Sequence, residues 1–204
     1  MRKMILINLL FIALFAAGQT NENIDIKKAY LQSYNYEKMT DYKDAIKVLI
    51  PVYKKYPDGY TINLRLAWLF YLNKNYKNAI THYQKAAMIL PYSVEPKLGL
   101  MRVYNTIGQF DKSLEVGASL LKLDYYNYYG NYYEIAALMG KQNYKTAMEV
   151  TQKMLTLYPT SVLFLNLLAE NYWYTGKKDL AKRIFSDVLL LDPNNVVAKK
   201  YLKQ

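Results

Sequence analysis

Residues 162–195 read VLFLNLLAENYWYTGKKDLAKRIFSDVLLLDPNN, and this stretch decides the fold. Its apolar residues recur at helical spacing in two blocks, which the polar turn Thr175-Gly176-Lys177 separates. Pro193 closes the second block because proline lacks the N–H that a helix interior requires. The stretch therefore predicts two antiparallel helices joined by a short turn.

The same pattern returns every 34 residues along the chain. One register position holds alanine or serine, and another ends four of the five units with proline: Ala45, Ala79, Ser113, Ala147 and Ala181, then Pro57, Pro91, Tyr125, Pro159 and Pro193. A period of this length indicates stacked helix pairs that bury one another's apolar faces. We predict five repeats, at 26–59, 60–93, 94–127, 128–161 and 162–195, followed by a C-terminal capping helix at 196–204.

The period also predicts where each helix starts. First helices are expected near Ile26, Tyr60, Val94, Tyr128 and Val162, and second helices near Lys43, Lys77, Asp111, Lys145 and Asp179. Each second helix should be one segment that ends at or just before the proline position.

Small and aromatic residues take fixed places within the repeats. The fifth repeat has Leu168, Ala169, Tyr172, Gly176, Ala181, Phe185 and Pro193, and the second has Leu66, Ala67, Phe70, Tyr76, Ala79, Tyr83, Ala86 and Pro91. This pattern resembles the tetratricopeptide repeat family. The resemblance implies an all-α fold, a right-handed α-solenoid of about five helix-turn-helix repeats.

The third and fourth repeats depart from that pattern. Met101 and Ile135 stand where the first helix should carry a small residue. Gly117 and Thr151 stand where the second helix should carry an aromatic one. We expect these departures to change the local helix packing but not the number of repeats.

The N-terminal residues have the pattern of a secretory signal. Two basic residues precede an apolar run from Met4 to Ala17, and small residues suit cleavage before Gln19. A run of about 14 residues is shorter than the roughly 18 to 20 that span a bilayer, which favours cleavage over a retained membrane helix. We expect a signal peptide at 1–18, a short N-terminal segment at 19–25, and a periplasmic or secreted protein without a transmembrane anchor.

Most residues that catalysis requires are missing. The chain has no cysteine, which excludes disulfides, thiol nucleophiles and cysteine-ligated metals. Its one histidine, His82, has no second histidine or cysteine to complete a metal site, and we expect it at the surface. No glycine-rich phosphate loop occurs, and only a carboxylate pair brought together by folding stays open. We predict no enzymatic activity, no metal and no cofactor.

The resemblance also implies where a partner would bind. In this family the first helix of each repeat lines a concave groove, and its second, fifth, ninth and twelfth residues share the inner face. Here those places hold Lys27, Tyr30, Tyr34 and Glu37; Thr61, Leu64, Trp68 and Tyr71; Glu95, Leu98, Arg102 and Asn105; Tyr129, Tyr132, Ala136 and Met139; and Leu163, Asn166, Glu170 and Trp173. An aromatic stripe of this kind fits a binding groove and packed core equally well.

We take ten candidate partner-binding residues, nine from that inner face together with Arg65: Tyr30, Tyr34, Arg65, Trp68, Tyr71, Arg102, Asn105, Tyr129, Tyr132 and Trp173. Some family members clamp a partner's C-terminal carboxylate with Lys and Asn of the first repeats. Tyr30 and Tyr34 occupy the matching places, which argues against that mode. Arg65 and Arg102 are isolated candidates for an anionic contact.

Three functional hypotheses are open. The first is a non-enzymatic exported scaffold or adaptor that binds protein segments and serves cell-envelope assembly or maintenance, by analogy with exported repeat proteins. The second is a glycan- or peptidoglycan-binding module that uses the tyrosines as platforms. The third is an anionic-surface binder, which the net charge of +11 favours only weakly because the basic residues are scattered. We expect no nucleic-acid partner.

Overall fold

The structure is a computed structural model that describes residues 25–203, so the predicted signal peptide lies outside the described residues. The described residues form helices and no strand. The helices are α1 (Ile26–Lys38), α2 (Tyr42–Lys47), α3 (Ile50–Lys55), α4 (Tyr60–Leu72), α5 (Tyr76–Ile89), α6 (Glu95–Thr106), α7 (Phe110–Leu121), α8 (Tyr128–Gly140), α9 (Tyr144–Leu157), α10 (Val162–Tyr174), α11 (Lys178–Leu191) and α12 (Val196–Leu202). Each repeat helix starts within one residue of the expected place, and the all-α solenoid is confirmed.

The turn inside each repeat has the same backbone geometry. One residue per turn has a positive φ, and these residues are spaced by 34: Thr40 at 59°, Lys74 at 57°, Gly108 at 71°, Gln142 at 60° and Gly176 at 81°. A left-handed residue at this place ends the first helix and lets the chain reverse direction. Three of the five following residues, Asp41, Asn75 and Asn143, then cap the second helix through their side chains.

The second helix of the first repeat is broken, which corrects the prediction of one continuous segment. α2 ends at Lys47 and α3 begins at Ile50, with Pro51 in the first turn of α3. Proline has no N–H to donate to the carbonyl four residues earlier, and its ring clashes with that carbonyl. The break therefore falls one turn before the proline.

Core packing compensates for the unusual residues of the third repeat. In the second repeat the small Ala67 accompanies the large Tyr83, and both are buried. In the third repeat the sizes are exchanged: a Cβ atom on Gly117 would lie 2.7 Å from the Cε of the fully buried Met101. A large residue on one helix is thus matched by a small one on the other, and the repeat keeps its packed volume.

Side chains also fasten each junction between repeats. At one register position of the first helix, the side chain donates hydrogen bonds to carbonyls of the preceding loop: Asn63 to Pro57 and Gly59 at 2.8 Å, Lys97 to Ser93 at 3.2 Å, and Asn131 to Tyr125 and Asn127 at 3.0 and 2.8 Å. Leu165 takes this place in the fifth repeat. These bonds pair the loop carbonyls of Pro57, Ser93 and Tyr125, and they add a second donor to the carbonyls of Gly59 and Asn127, which also accept a backbone N–H.

The first helices form the inner side of the solenoid. α4, α6, α8 and α10 contact one another in sequence, whereas each second helix mainly contacts the first helices on either side of it. The first helices are therefore closer together, and we call the surface that they present the groove. α12 covers the C-terminal end, where Ala198 and Tyr201 pack beside Phe185. Within residues 25–203, no helix has both the length and the apolar character needed to cross a bilayer.

Candidate partner-binding groove

Arg102, on α6, lies among aromatic rings at the middle of the groove. Its guanidinium carbon is 4.9 Å from the ring centroid of Trp68, 5.8 Å from that of Tyr71 and 5.6 Å from that of Tyr133. The Nε atom donates a hydrogen bond to the Tyr133 hydroxyl at 2.7 Å. Arg102 forms no ion pair with any carboxylate of the described residues. Its position is thus fixed by the rings while its charge is left unpaired.

Arg65, on α4, has a different environment although it is the same kind of residue. It is 8% exposed, forms an ion pair with Glu37 and donates to the Ser33 hydroxyl at 3.1 Å. Its guanidinium carbon lies 3.9 Å from the ring centroid of Tyr34. The indole N–H of Trp68 donates to the other carboxylate oxygen of Glu37 at 2.6 Å. Arg65 therefore joins the first two repeats, and its charge is paired within the protein.

Tyr133 connects the third and fourth repeats. Besides the bond from Arg102, its backbone carbonyl accepts a hydrogen bond from Asn105 Nδ2 at 2.9 Å. The Oδ1 atom of Asn105 is buried without a hydrogen-bond partner among the described residues. Gly99 takes Tyr133's repeat position one unit earlier, where a Cβ atom would lie 2.3 Å from the Tyr83 ring. In the third repeat the Tyr83 ring therefore fills the place beside Gly99, whereas the fourth repeat contributes a tyrosine of its own at this position.

Tyrosines continue the groove along α8. Tyr129 is 56% exposed and meets the Tyr128 ring edge-on at 5.3 Å between centroids. Tyr132 is half-buried and lies 5.1 Å from the Tyr133 ring. Burial raises the pKa of Tyr132, and the nearby Tyr133 and Glu170 raise it further while Arg102 lowers it. Tyr132 is therefore within electrostatic reach of charges from both neighbouring repeats.

The C-terminal end of the groove carries an acidic residue. Glu170 on α10 is half-buried; burial raises its carboxyl pKa, against the lowering effect of a hydrogen bond with Tyr201. Trp173, one turn further on, meets the Tyr201 ring edge-on at 5.1 Å and has Lys178 4.9 Å from its own ring centroid. The capping helix thus closes this end of the groove with an aromatic residue.

The predicted residues divide into two groups. Trp68, Tyr71, Arg102, Asn105 and Tyr132 come together around the third and fourth repeats, with Tyr129 at their edge and Trp173 at the C-terminal end. Tyr30 and Tyr34 are separate: Tyr30 packs against the core of the first repeat, and Tyr34 lies beneath Arg65.

Two important residues were absent from the sequence prediction. Tyr133 was missed because it occupies the sixth place of its repeat, outside the four places taken as the inner face. The sequence could have indicated Tyr133, because it lies two 34-residue steps after Arg65, a residue that was included although it occupies the same sixth place. Tyr201 was missed because α12 was treated only as a cap.

His82 is not at the surface, and that prediction was wrong. It is half-buried, stacked on Phe70 at 5.4 Å and met edge-on by Tyr53 at 5.0 Å between centroids. Its Nδ1 lies 2.9 Å from Asn63 Oδ1. Because Asn63 Nδ2 already donates to two carbonyls, Oδ1 is the acceptor and His82 Nδ1–H the donor. Burial first, and then the charge of Lys85, lower the pKa of His82.

Because the pKa of His82 is lowered in the folded state, the free energy of unfolding should depend on pH in mildly acidic solution. Below the ordinary histidine pKa of about 6.5, the unfolded chain binds a proton that the folded chain resists. The free energy of unfolding should therefore fall as the pH drops through this range, and less so in His82→Gln. Urea titrations of both proteins at pH 7.5 and 5.5 would measure the difference. The raised carboxyl pKa values of Glu134 and Glu170 are common to both proteins and cancel; equal pH dependence would contradict this account.

No group of histidine, cysteine or carboxylate side chains within residues 25–203 is arranged to hold a metal ion. The polar groups of the groove are arginine, amide, phenol and carboxylate side chains, all of which can form hydrogen bonds.

Comparison with known proteins agrees with this architecture. Models of the tetratricopeptide repeat match residues 30–94 and 164–195. No curated protein matches the sequence. Among solved structures, a tetratricopeptide repeat protein from Parabacteroides merdae has a TM-score of 0.74 at 19% identity, covering 86% of this chain and 70% of that one.

Two further structures have the same fold. MamA from Desulfovibrio magneticus has a TM-score of 0.71 at 16% identity, with 83% of this chain and 96% of that chain covered. TTC0263 from Thermus thermophilus, described as a thermophilic TPR protein, has a TM-score of 0.71 at 13% identity, covering 87% and 97%. Identities this low show the shared fold alone. The sequence matches, the 34-residue period and the shared fold together place this chain in the tetratricopeptide repeat family.

Proposed function

We propose that this protein is an exported, non-enzymatic scaffold that binds a segment of another protein in its groove and serves assembly or maintenance of the cell envelope. The family and the fold support the general role of a protein-interaction scaffold. Export is proposed from the signal pattern of residues 1–18, and the envelope role from the destination that such a signal implies.

The unpaired charge of Arg102 is the observation that carries the proposal. A half-buried guanidinium without a carboxylate partner is costly unless something else compensates it. Here Trp68, Tyr71 and Tyr133 hold it in place, and its two terminal nitrogens donate no hydrogen bond to another described residue. A bound segment that supplies an acceptor would complete the site.

The surrounding side chains suit a polypeptide. Tyrosine and tryptophan provide large, rigid contact area with a polar edge, and such residues dominate the energetics of protein interfaces. Asn105 holds the Tyr133 backbone in place beside these rings through its Nδ2 atom. An arginine, an amide and several aromatic rings therefore offer both hydrogen bonds and apolar contact to an extended chain.

Replacing Arg102 with glutamine should weaken partner binding about tenfold, because a charged hydrogen bond is lost, and should change the free energy of unfolding by less than about 1 kcal/mol. The matched control is Arg183→Gln, which removes the same charge from an exposed place on α11. Partner affinity and urea stability would be measured for both variants. Equal binding by the two variants would remove Arg102 from the binding surface.

The partner itself would be captured by photocrosslinking in the native host. A photoreactive phenylalanine analogue replaces Tyr129 in the groove or, as control, Tyr92, which is 83% exposed in the loop after α5. Adducts at 129 that protease digests and that Arg102→Gln reduces would support a protein partner. Adducts that only a glycan hydrolase removes would favour the glycan-binding alternative, and equal adducts at both positions would contradict the groove.

Export is tested separately. The protein recovered from cell-envelope and culture fractions should begin at Gln19 by mass spectrometry. An intact N terminus in the cytoplasmic fraction would overturn the proposed location without touching the binding role.

A further inference from the structure

Two groove residues that occupy the same place in different repeats carry opposite charges. Arg102, Ala136 and Glu170 occupy the same place on α6, α8 and α10, at steps of 34 residues. The row therefore reads positive, small and negative from the third repeat to the fifth.

Glu170 can contact a bound segment at the C-terminal end of this row, as Arg102 can at the other end. It forms no ion pair of 4 Å or less with a basic residue of the described chain, and the Tyr201 hydroxyl near it is hydrogen-bonded to the Tyr174 hydroxyl at 2.9 Å. Lys200 lies near it on α12 without pairing, while Lys178 and Lys182 are placed over the Trp173 ring. In the first two repeats the situation differs, since Glu37 and Arg65 neutralise each other.

The two charged residues stand on α6 and α10, and α8 between them contacts both helices. Tyr132 on α8 is influenced electrostatically by both Arg102 and Glu170. The row position between the charges is Ala136, whose small side chain adds neither charge nor bulk there. A single bound segment can therefore contact both charged residues.

We infer that the groove selects an extended segment carrying an acidic side chain at Arg102 and a basic side chain at Glu170. This inference rests on the proposed segment-binding function and names the chemistry of its partner. Opposite charges across an interface attract the right partner and reject one whose charges are reversed.

The spacing of the two charges on the partner follows from helix packing. Neighbouring first helices in contact lie about 8 to 10 Å apart, so two steps span about 16 to 20 Å. An extended chain advances about 3.3 Å per residue and points alternate side chains to the same face. The even spacing that fits is about six residues; four residues reach only about 13 Å.

The test selects binders from a phage-displayed random 12-residue library on the full protein. The wild type should enrich sequences with an acidic and a basic residue six positions apart. Arg102→Glu should enrich a basic residue in place of the acidic one. Glu170→Lys should enrich two acidic residues, and Glu170→Gln, which keeps the size and an acceptor for Tyr201, should lose only the basic preference.

The control variant Arg183→Glu, on the outer helix, should leave the selection unchanged, and circular dichroism would verify that each variant is folded. A synthetic peptide from the wild-type selection should bind at least about tenfold more tightly than a peptide of the same composition with the charges adjacent. Enriched sequences without the charge pair, or with a pair that the variants do not alter, would overturn the charge inference alone. No enrichment by the wild type would overturn segment binding as well.

Discussion

Phe185→Ala should lower the free energy of unfolding by about 3 to 5 kcal/mol, the usual cost of removing a fully buried aromatic side chain. Phe185 has no exposed surface and stacks on Tyr201 at 4.8 Å with 7° between the ring planes. It thus joins α11 to the capping helix. In a solenoid each repeat contacts only its neighbours, so the fifth repeat and α12 should unfold first. Calorimetry should show a melting temperature lowered by roughly 10 °C.

Trp68→Ala provides the comparison for this effect. Trp68 is half-buried, and its truncation removes one hydrogen bond and the ring beneath Arg102 without emptying the core. We expect a loss of about 2 kcal/mol or less. A loss equal to that of Phe185→Ala would show that the aromatic stripe is packed core and not a groove, although the repeat fold would stand.

Glu37→Ala should cost about 3 kcal/mol, because it leaves a buried guanidinium without its counter-charge. The Arg65 side chain is 7% exposed and that of Glu37 is 22% exposed, so water can replace the carboxylate only in part. The substitution also removes the acceptor of the Trp68 indole N–H. Urea unfolding at constant salt would measure the loss.

Two controls separate burial from charge pairing in general. Asp111→Ala breaks an exposed ion pair, in which the Asp111 side chain is 84% exposed and that of Lys141 is 41% exposed. The free energy of unfolding should fall by less than about 1 kcal/mol. The double variant Glu37→Leu with Arg65→Met removes both buried charges and should be more stable than Glu37→Ala alone. A single Glu37→Ala variant as stable as Asp111→Ala would mean that the Arg65 charge reaches solvent.

The buried network in the first two repeats restricts where a partner can bind. Glu37 forms an ion pair with Arg65 and accepts a hydrogen bond from Trp68. The charged groups at that end of the groove therefore already have partners within the protein. From the third repeat onwards, Arg102 and Glu170 form no ion pair among the described residues. Binding specificity should therefore lie in the last three repeats.

The sequence by itself determined the helix pairs, their period and the starts of the helices. These features depend on local spacing: apolar residues at helical intervals, a turn residue at a fixed place and proline after the second helix. The break before Pro51 could also have been foreseen, because proline within a helical pattern interrupts the helix of the preceding turn.

Only the tertiary structure decided which side chains are paired. Arg65 and Arg102 look alike in the sequence, yet one meets Glu37, 28 positions away, and the other meets only aromatic rings among the described residues. Met101 and Gly117 each depart from the family pattern, and only their contact across two helices shows that they compensate each other. Periodicity determines which face of a helix a residue occupies. The charged and bulky side chains that surround it there belong to other repeats, and the packing of the helices sets their distance from it.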